Sequence, residues 1–183
     1  MSFQQSAASI NVEVVPHNLE WRSAFDQEAT QIAIAIADNL VKIHHIGSTA
    51  IPNIYAKPII DFLIEVKSIH RMDDQCAAME ALGYEAMGEF GLPGRRYFRK
   101  NSAPEIRTHN VHIYQVGSTE ITRHLAFRDY MIAHPEAAQQ YSDLKRTLAK
   151  KYPRDIHAYM DGKDQWIKEM EQIALAWQLR SCP

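Results

Sequence analysis

The spacing of hydrophobic residues changes along the chain, from mixed helical and strand-like spacing to purely helical spacing after about residue 118. An apolar repeat of three to four residues predicts an amphipathic helix over Leu19–Asn39 and a second helix that Ser68 caps and Gly83 ends. The predicted strands are Val12–Val15, Val41–Ile46, Lys57–Val66, Tyr84–Met87, Arg95–Lys100 and Ile106–Val116. The C-terminal part reads as three helices, with starts at Ser118, at His134-Pro135 and at Asp155.

Strands followed by helices indicate the α+β class, with a mixed α/β sheet and C-terminal helices. We predict one domain over residues 1–183, whose helical part is about 118–180. Val41–Ile46, Lys57–Val66 and Ile106–Val116 are expected to be neighbouring central strands of a small sheet.

The composition excludes several classes of function. The chain has 20 basic and 22 acidic residues, so it has no general attraction for nucleic acid or for an anionic membrane. No apolar run is long enough to span a bilayer, and no secretory signal is visible. The two cysteines, Cys76 and Cys182, cannot form a scaffold of disulfides. A cytoplasmic protein is the expectation.

Asp61 is the most informative residue of the sequence. It lies inside an apolar strand, between Ile60 and Phe62, and ionised carboxylates are rarely buried without a partner. The pair Gly47-Ser48 forms a turn one strand earlier. One interpretation is an anion-binding turn beside a catalytic acid. The other is an ordinary turn, with Asp61 paired to Lys57 or to an arginine.

Several segments resemble the GrpB family. They are His45–Ala50, Ile51-Pro52, Lys57–Asp61, Arg107–His112, Arg123–Tyr130 and His134–Ala138. Members of this family are relatives of nucleotidyltransferases, and related domains occur fused to dephospho-coenzyme A kinase. The resemblance implies a nucleotidyltransferase-like fold.

The same resemblance implies a phosphate and metal site. Gly47 and Ser48 are then expected to hold phosphate oxygens, and Asp61 is the first of two carboxylates that bind Mg²⁺. The second acid, two residues on, is replaced by Leu63. Glu65 lies one step further along the strand and reaches such a metal only through water or a bend.

Histidine is the other candidate metal ligand. His112 takes the place of a third acid, so the expected metal set is Asp61, His112 and Glu65, and Asp61 and His112 are the expected catalytic pair. Imidazole ligands suit Mn²⁺, Fe²⁺ or Zn²⁺ better than Mg²⁺. Against this, the histidines lack the spacing of a known metal motif, and they often serve as hydrogen-bonded core or surface groups.

Basic residues supply further phosphate contacts. Lys57, Arg95 and Arg99 are expected to bind substrate phosphate, with Arg95, Tyr97 and Arg99 on one face of a strand and Phe98 on the other. Tyr97 or Phe98 is a candidate for stacking on a base. The alternative is an exposed edge strand that charge protects from aggregation.

Two functions follow from these residues. The first is metal-assisted transfer of a nucleotidyl or phosphoryl group to a small acceptor. The second is a non-catalytic module that binds a nucleotide or a small phosphorylated molecule after the loss of the paired carboxylates. A divalent metal, Mg²⁺ or Mn²⁺, belongs to the first. Nucleic-acid binding is disfavoured by the pI of about 6.5, and the oligomeric state is left open.

Overall fold

The computed structural model describes residues 11–104 and 106–181. The helices are α1 (Glu20–Ala35), α2 (Arg71–Asp74), α3 (Cys76–Ala81), α4 (Thr119–Ala133), α5 (Pro135–Lys151) and α6 (Ile156–Ser181). The strands are β1 (Leu40–Ile46), β2 (Ile60–Val66), β3 (Glu85–Ala86), β4 (Arg96–Ala103) and β5 (Ile106–Gln115). A short 3-10 helix, Ser48–Ala50, follows β1.

The five strands form one mixed sheet in the order β1-β2-β5-β4-β3. β2 is antiparallel to β1 and parallel to β5, and β4 is antiparallel to both of its neighbours. The prediction that β1, β2 and β5 are neighbours is confirmed, as is the α+β class with C-terminal helices, but β1 is an edge strand and not a central one. The parallel pair places Asp61 beside Asn110 and Leu63 beside His112.

The two faces of the sheet have different roles because side chains alternate along a strand. Phe62, Ile64 and Val66 are fully buried with the apolar stripe of α1 and with α2 and α3. Asp61, Leu63 and Glu65 lie on the opposite face, where α4 contacts β1 and β2. Leu63 packs there with Tyr114 and with Ile121 of α4. The larger core is therefore on one face and the polar residues are on the other.

The residues at which the C-terminal helices begin agree with the sequence prediction. The Ser118 hydroxyl accepts a hydrogen bond from Glu120 N at 3.3 Å, and Asp155 Oδ1 accepts one from Ala158 N at 2.9 Å. Pro135 occupies the first turn of α5. Within the described residues, no helix is both long enough and apolar enough to cross a membrane.

Some boundaries differ from the prediction. α1 ends at Ala35 instead of Asn39, and β2 begins at Ile60 instead of Lys57. Ser68 does not cap a helix, because α2 begins only at Arg71; the side chain of Asn39 holds the Ser68 backbone with hydrogen bonds of 2.9 and 3.0 Å. Val12–Val15 is not a strand, and only Val15 forms an isolated bridge, to Ala56. Cys182 and the first ten residues lie outside the described part of the chain.

Candidate functional site

A cleft of about 570 Å³ lies on the polar face of the sheet, between the strands and helices α5 and α6. Its floor includes Asp61 of β2, and Asn110 and His112 of β5. Six of the predicted catalytic, phosphate-binding and metal-binding residues line it, namely Gly47, Ser48, Lys57, Asp61, Arg95 and His112, as does Tyr97, a predicted stacking residue. The structure thus brings Asp61 and His112 to one cleft.

Asp61 is oriented by a chain of hydrogen bonds that runs along the sheet. Asn110 Nδ2 donates to Asp61 Oδ1 at 2.8 Å. The Oδ1 atom of Asn110 in turn accepts from the Tyr97 hydroxyl at 2.7 Å and from Arg107 Nη1 at 3.0 Å. These two donors fix which end of the amide faces Asp61. Burial raises the pKa of Asp61, while the Asn110 donor and the nearby Lys57 act in the opposite direction.

Gly47 is required by the carboxylate of Asp61. Its backbone has a φ of +70°, in the region that favours glycine. A Cβ atom at this position would lie 2.2 Å from Asp61 Oδ2. The sequence suggested that Gly47 allows close approach of a phosphate, whereas the group that approaches it here is Asp61.

Gly47→Ala is therefore expected to lower the free energy of unfolding by about 3 kcal/mol, through backbone strain and overpacking together. Chemical denaturation measures this. Asp61→Ala removes the clash, so the double variant should lose less stability than the sum of the two single losses. Additive losses would show that Asp61 does not press against Gly47.

Three lysines converge on the cleft: Lys57, Lys145 of α5 and Lys163 of α6. Burial lowers the pKa of Lys57 to about 8 and that of Lys145 to about 7, with the charge of Lys163 acting in the same direction on both. Burial also lowers the pKa of Lys163. Asp61 is the one acidic residue that lines this cleft among the described residues.

Lys145 has the least favourable environment of the three. The residue is 1% exposed, and its Nζ atom has no hydrogen-bond partner among the described residues. The Nζ atom is 4.3 Å from the centre of the Tyr141 ring, which is its main compensating contact. A buried ammonium group without a hydrogen-bond acceptor is unfavourable. A ligand that supplies an acceptor would therefore gain binding free energy at this site.

Three residues of the cleft, Lys145, Lys163 and Asn110, were not predicted as site residues. Tyr141, Lys145 and Leu148 recur at helical spacing, so Lys145 falls on the buried stripe of α5. A lysine on an apolar stripe was the available signal for Lys145. Lys163 has no comparable signal, because α6 meets the cleft only through tertiary packing.

Arg95 and His112 support one wall of the cleft. Arg95 Nη1 donates to His112 Nδ1 at 3.3 Å, and its other nitrogens hold the carbonyl oxygens of Glu89 and Phe90 at 3.2 and 2.8 Å. Burial and the charges of His124 and Arg95 lower the pKa of His112 to about 3. His112 is therefore neutral near pH 7, with Nδ1 as an acceptor.

Two predicted site residues lie outside the cleft. Glu65 lies further along β2, and its Oε1 atom is 2.6 Å from His44 Nε2. The structure therefore does not bring Glu65 to Asp61. Arg99 forms an ion pair with Glu85 at 2.6 Å and braces the edge strand β3. The strand that carries Arg99, β4, is not the exposed edge strand that the alternative interpretation expected, because β3 covers it.

The cleft residues do not fit a divalent metal ion. Mg²⁺ and Mn²⁺ need several oxygen ligands, but Asp61 is a single carboxylate with one oxygen engaged by Asn110, and three lysines surround it. Across residues 11–104 and 106–181, no three His, Cys, Asp or Glu side chains are grouped to hold a metal. The donor set of the cleft is cationic and suits an anion.

A second cleft of about 450 Å³ lies beside β1 and is less suited to a charged ligand. Its two arginines already have carboxylate partners, since Arg22 pairs with Asp26 at 3.1 Å and Arg128 with Asp129 at 2.7 Å. The cleft that contains Asp61 is therefore the candidate site.

Comparisons with known proteins support a family assignment. A sequence model described as "GrpB protein" matches residues 11–172. The UPF0157 protein YqkA of Bacillus subtilis is 47% identical over 91% of this chain, and the chain spans 48% of that relative. A crystal structure of the conserved protein GrpB from Enterococcus faecalis is 46% identical, with a TM-score of 0.87 over 91% of this chain and 99% of that one.

A more distant relative is a kinase. A dephospho-CoA kinase of Mycolicibacterium paratuberculosis is 28% identical over 91% of this chain, which spans 46% of that protein. The chain thus matches about half of the length of both YqkA and this kinase.

Proposed function

The chain belongs to the GrpB family, and we propose that its cleft binds a nucleotide or a similar small phosphorylated molecule without help from a metal ion. In this proposal Lys57, Lys145 and Lys163 form the anion site, and Asp61 sets its charge. The predicted cytoplasmic location belongs to the same proposal.

The observation that carries the proposal is the excess of buried positive charge around Lys145. Three lysines face one carboxylate, and the Nζ atom of Lys145 has no acceptor among the described residues. A phosphate group supplies several strong acceptor oxygens and between one and two negative charges at neutral pH. Its oxygens would accept hydrogen bonds from these lysines, and its charge would offset theirs.

The test is the binding of ribose 5-phosphate by calorimetry and by thermal shift, with a chelator present. Affinity is expected to fall about tenfold between pH 7 and pH 9. Lys145 and Lys57, whose pKa values are about 7 and 8, lose their protons over this range. The phosphate ester keeps its charge, because its second pKa is about 6.

Equal chloride concentrations control for ionic strength. Lys150→Met is the matched control, because Lys150 lies exposed on the same helix as Lys145. No binding at any pH, or binding that requires a divalent metal, would contradict the proposal.

The alternative function is a metal-assisted nucleotidyl or phosphoryl transferase. The position of the second acid is held by Leu63, which is fully buried with Tyr114 and Ile121. Paired-metal chemistry therefore lacks a ligand. We expect no transfer from labelled nucleoside triphosphates to a mixed metabolite extract, with Mg²⁺ or with Mn²⁺. Rapid turnover that Asp61→Asn abolishes would favour the transferase.

A further inference from the structure

The mouth of the cleft carries apolar side chains that an anion site does not need. Phe90, Leu92 and Met160 all line the cleft, and they are 58%, 41% and 46% exposed. We call these three residues the apolar rim. Exposed apolar groups beside a polar cleft are typical of a ligand site in which part of the ligand is apolar.

The loop that carries Phe90 is held firmly by hydrogen bonds. Arg95 Nη2 donates to Phe90 O at 2.8 Å, Gly94 N to Glu89 Oε1 at 2.7 Å, and Leu92 N to Glu89 O at 3.1 Å. Arg95 is itself 7% exposed and is anchored on His112. The exposure of Phe90 therefore belongs to an ordered loop.

The ring of Phe90 has one face covered and one face available. It stacks on Tyr97 with ring centroids 5.3 Å apart and planes 28° apart. Its backbone has a φ of +44°, which is uncommon for a residue with a side chain and places the ring at the cleft. Since Tyr97 is 8% exposed, the 58% exposure of Phe90 comes from its other face and its edges.

The other aromatic residues of this strand are not available for stacking. Phe98 is 1% exposed and lies in the larger core, on the opposite face of the sheet. Tyr97 is buried by Phe90, and its hydroxyl is bonded to Asn110. The stacking role that the sequence suggested for Tyr97 or Phe98 therefore falls to Phe90.

We propose that Phe90 is a stacking subsite for a planar aromatic ring that is joined to the phosphate in the anion site. Leu92 and Met160 contact the edges of that ring. The proposal rests on the proposed function and narrows its ligand class to nucleotides and other aromatic phosphate esters. Stacking tolerates different rings, because each has a π face, so adenine and uracil nucleotides should both bind.

The test compares ligands that differ only in the ring. Ribose 5-phosphate, adenosine 5′-monophosphate and uridine 5′-monophosphate are titrated into the wild type, Phe90→Ala, Phe90→Leu and Ile106→Ala. The wild type should bind the two nucleotides about 5- to 150-fold more tightly than ribose 5-phosphate. Ile106 is the matched control, because it is also 58% exposed but does not line the cleft.

Phe90→Ala should remove the preference for the nucleotides and leave the affinity for ribose 5-phosphate within about twofold. Phe90→Leu keeps an apolar side chain, so it separates stacking from simple burial and should also lose most of the preference. Melting of each ligand-free variant checks that the loop still folds.

The outcomes separate this inference from the function on which it rests. If ribose 5-phosphate binds as tightly as the nucleotides, or if Phe90→Ala keeps the preference, the stacking subsite is wrong and the anion site stands. If Phe90→Ala weakens all three ligands equally, Phe90 supports the cleft without stacking on a ring, and the inference is overturned. If none of the ligands binds, both proposals fail.

Discussion

Asp61→Asn is expected to destabilise the ligand-free protein and to strengthen phosphate binding. The variant keeps the shape of the side chain but leaves three lysines in the cleft without their carboxylate. The loss should be about 1 kcal/mol, less than for a buried ion pair that loses one partner, because burial raises the pKa of Asp61, so its charge is itself costly, and because the lysines can release protons. Chemical denaturation in phosphate-free buffer measures it.

The binding of ribose 5-phosphate to Asp61→Asn should become about tenfold tighter, since a negative charge beside the bound anion has been removed. A metal site predicts the reverse, because Asp61 would be its main ligand. The control is Asp164→Asn on α6, whose side chain is 57% exposed and outside the cleft. Loss of binding in Asp61→Asn, with the fold intact, would contradict the anion site and support a metal site.

Lys145→Met is expected to stabilise the ligand-free protein and to weaken phosphate binding. The replacement keeps an unbranched apolar chain and removes a buried amine that has no hydrogen-bond acceptor among the described residues. Stability without ligand should rise by about 1–4 kcal/mol, as when other buried charged groups are replaced by apolar ones. Phosphate affinity should fall by about tenfold or more, because one of the three cations is lost.

The dependence of stability on pH isolates the contribution of Lys145. Its pKa is about 7 in the folded protein and 10.5 in its ordinary state. Between these values the unfolded chain binds one proton more than the folded chain, so stability rises with pH, by at most about 1.4 kcal/mol per pH unit. Lys145→Met should flatten this rise between pH 7.5 and pH 9.5. Lys150→Met should leave it unchanged.

A trade-off between stability and binding follows from the two variants together. A residue that destabilises the empty protein and strengthens its complex is typical of a binding site. If Lys145→Met melts at a lower temperature than the wild type, Lys145 is a structural residue whose amine is satisfied by Tyr141, and the anion site loses its main support.

Local sequence patterns predicted β1, β2 and the starts of the C-terminal helices correctly, because the forces that set these features act between residues close in sequence. The apolar runs on either side of the Gly47-Ser48 turn predicted β1 and β2, because a short apolar run bounded by a turn is typical of a buried strand. Ser118, Pro135 and Asp155 marked helix starts, since caps act within one turn of the chain. The cleft positions of Asp61 and His112 followed from alternation, once β2 and β5 were expected as neighbours.

Other residues lie in surroundings that the sequence did not indicate, because residues distant in sequence contact them. Ser68 had the right residue type for a cap, but its backbone is bonded to the side chain of Asn39 and α2 begins only at Arg71. Glu65 was on the correct face for a metal, but β1 brought His44 within 2.6 Å of it. Arg99 was a plausible phosphate ligand until β3 placed Glu85 opposite. None of these partners is near in sequence.

The sequence by itself determined the family, the α+β class and the place of an isolated carboxylate, Asp61, behind a Gly-Ser turn. Only the tertiary structure decided the charge of the cleft, because Lys145 and Lys163 arrive from helices far along the chain. It also decided that Phe90 alone keeps an exposed ring among the cleft aromatics of the described residues. The reason is physical: periodicity encodes which face a residue takes, but electrostatics depends on which faces meet.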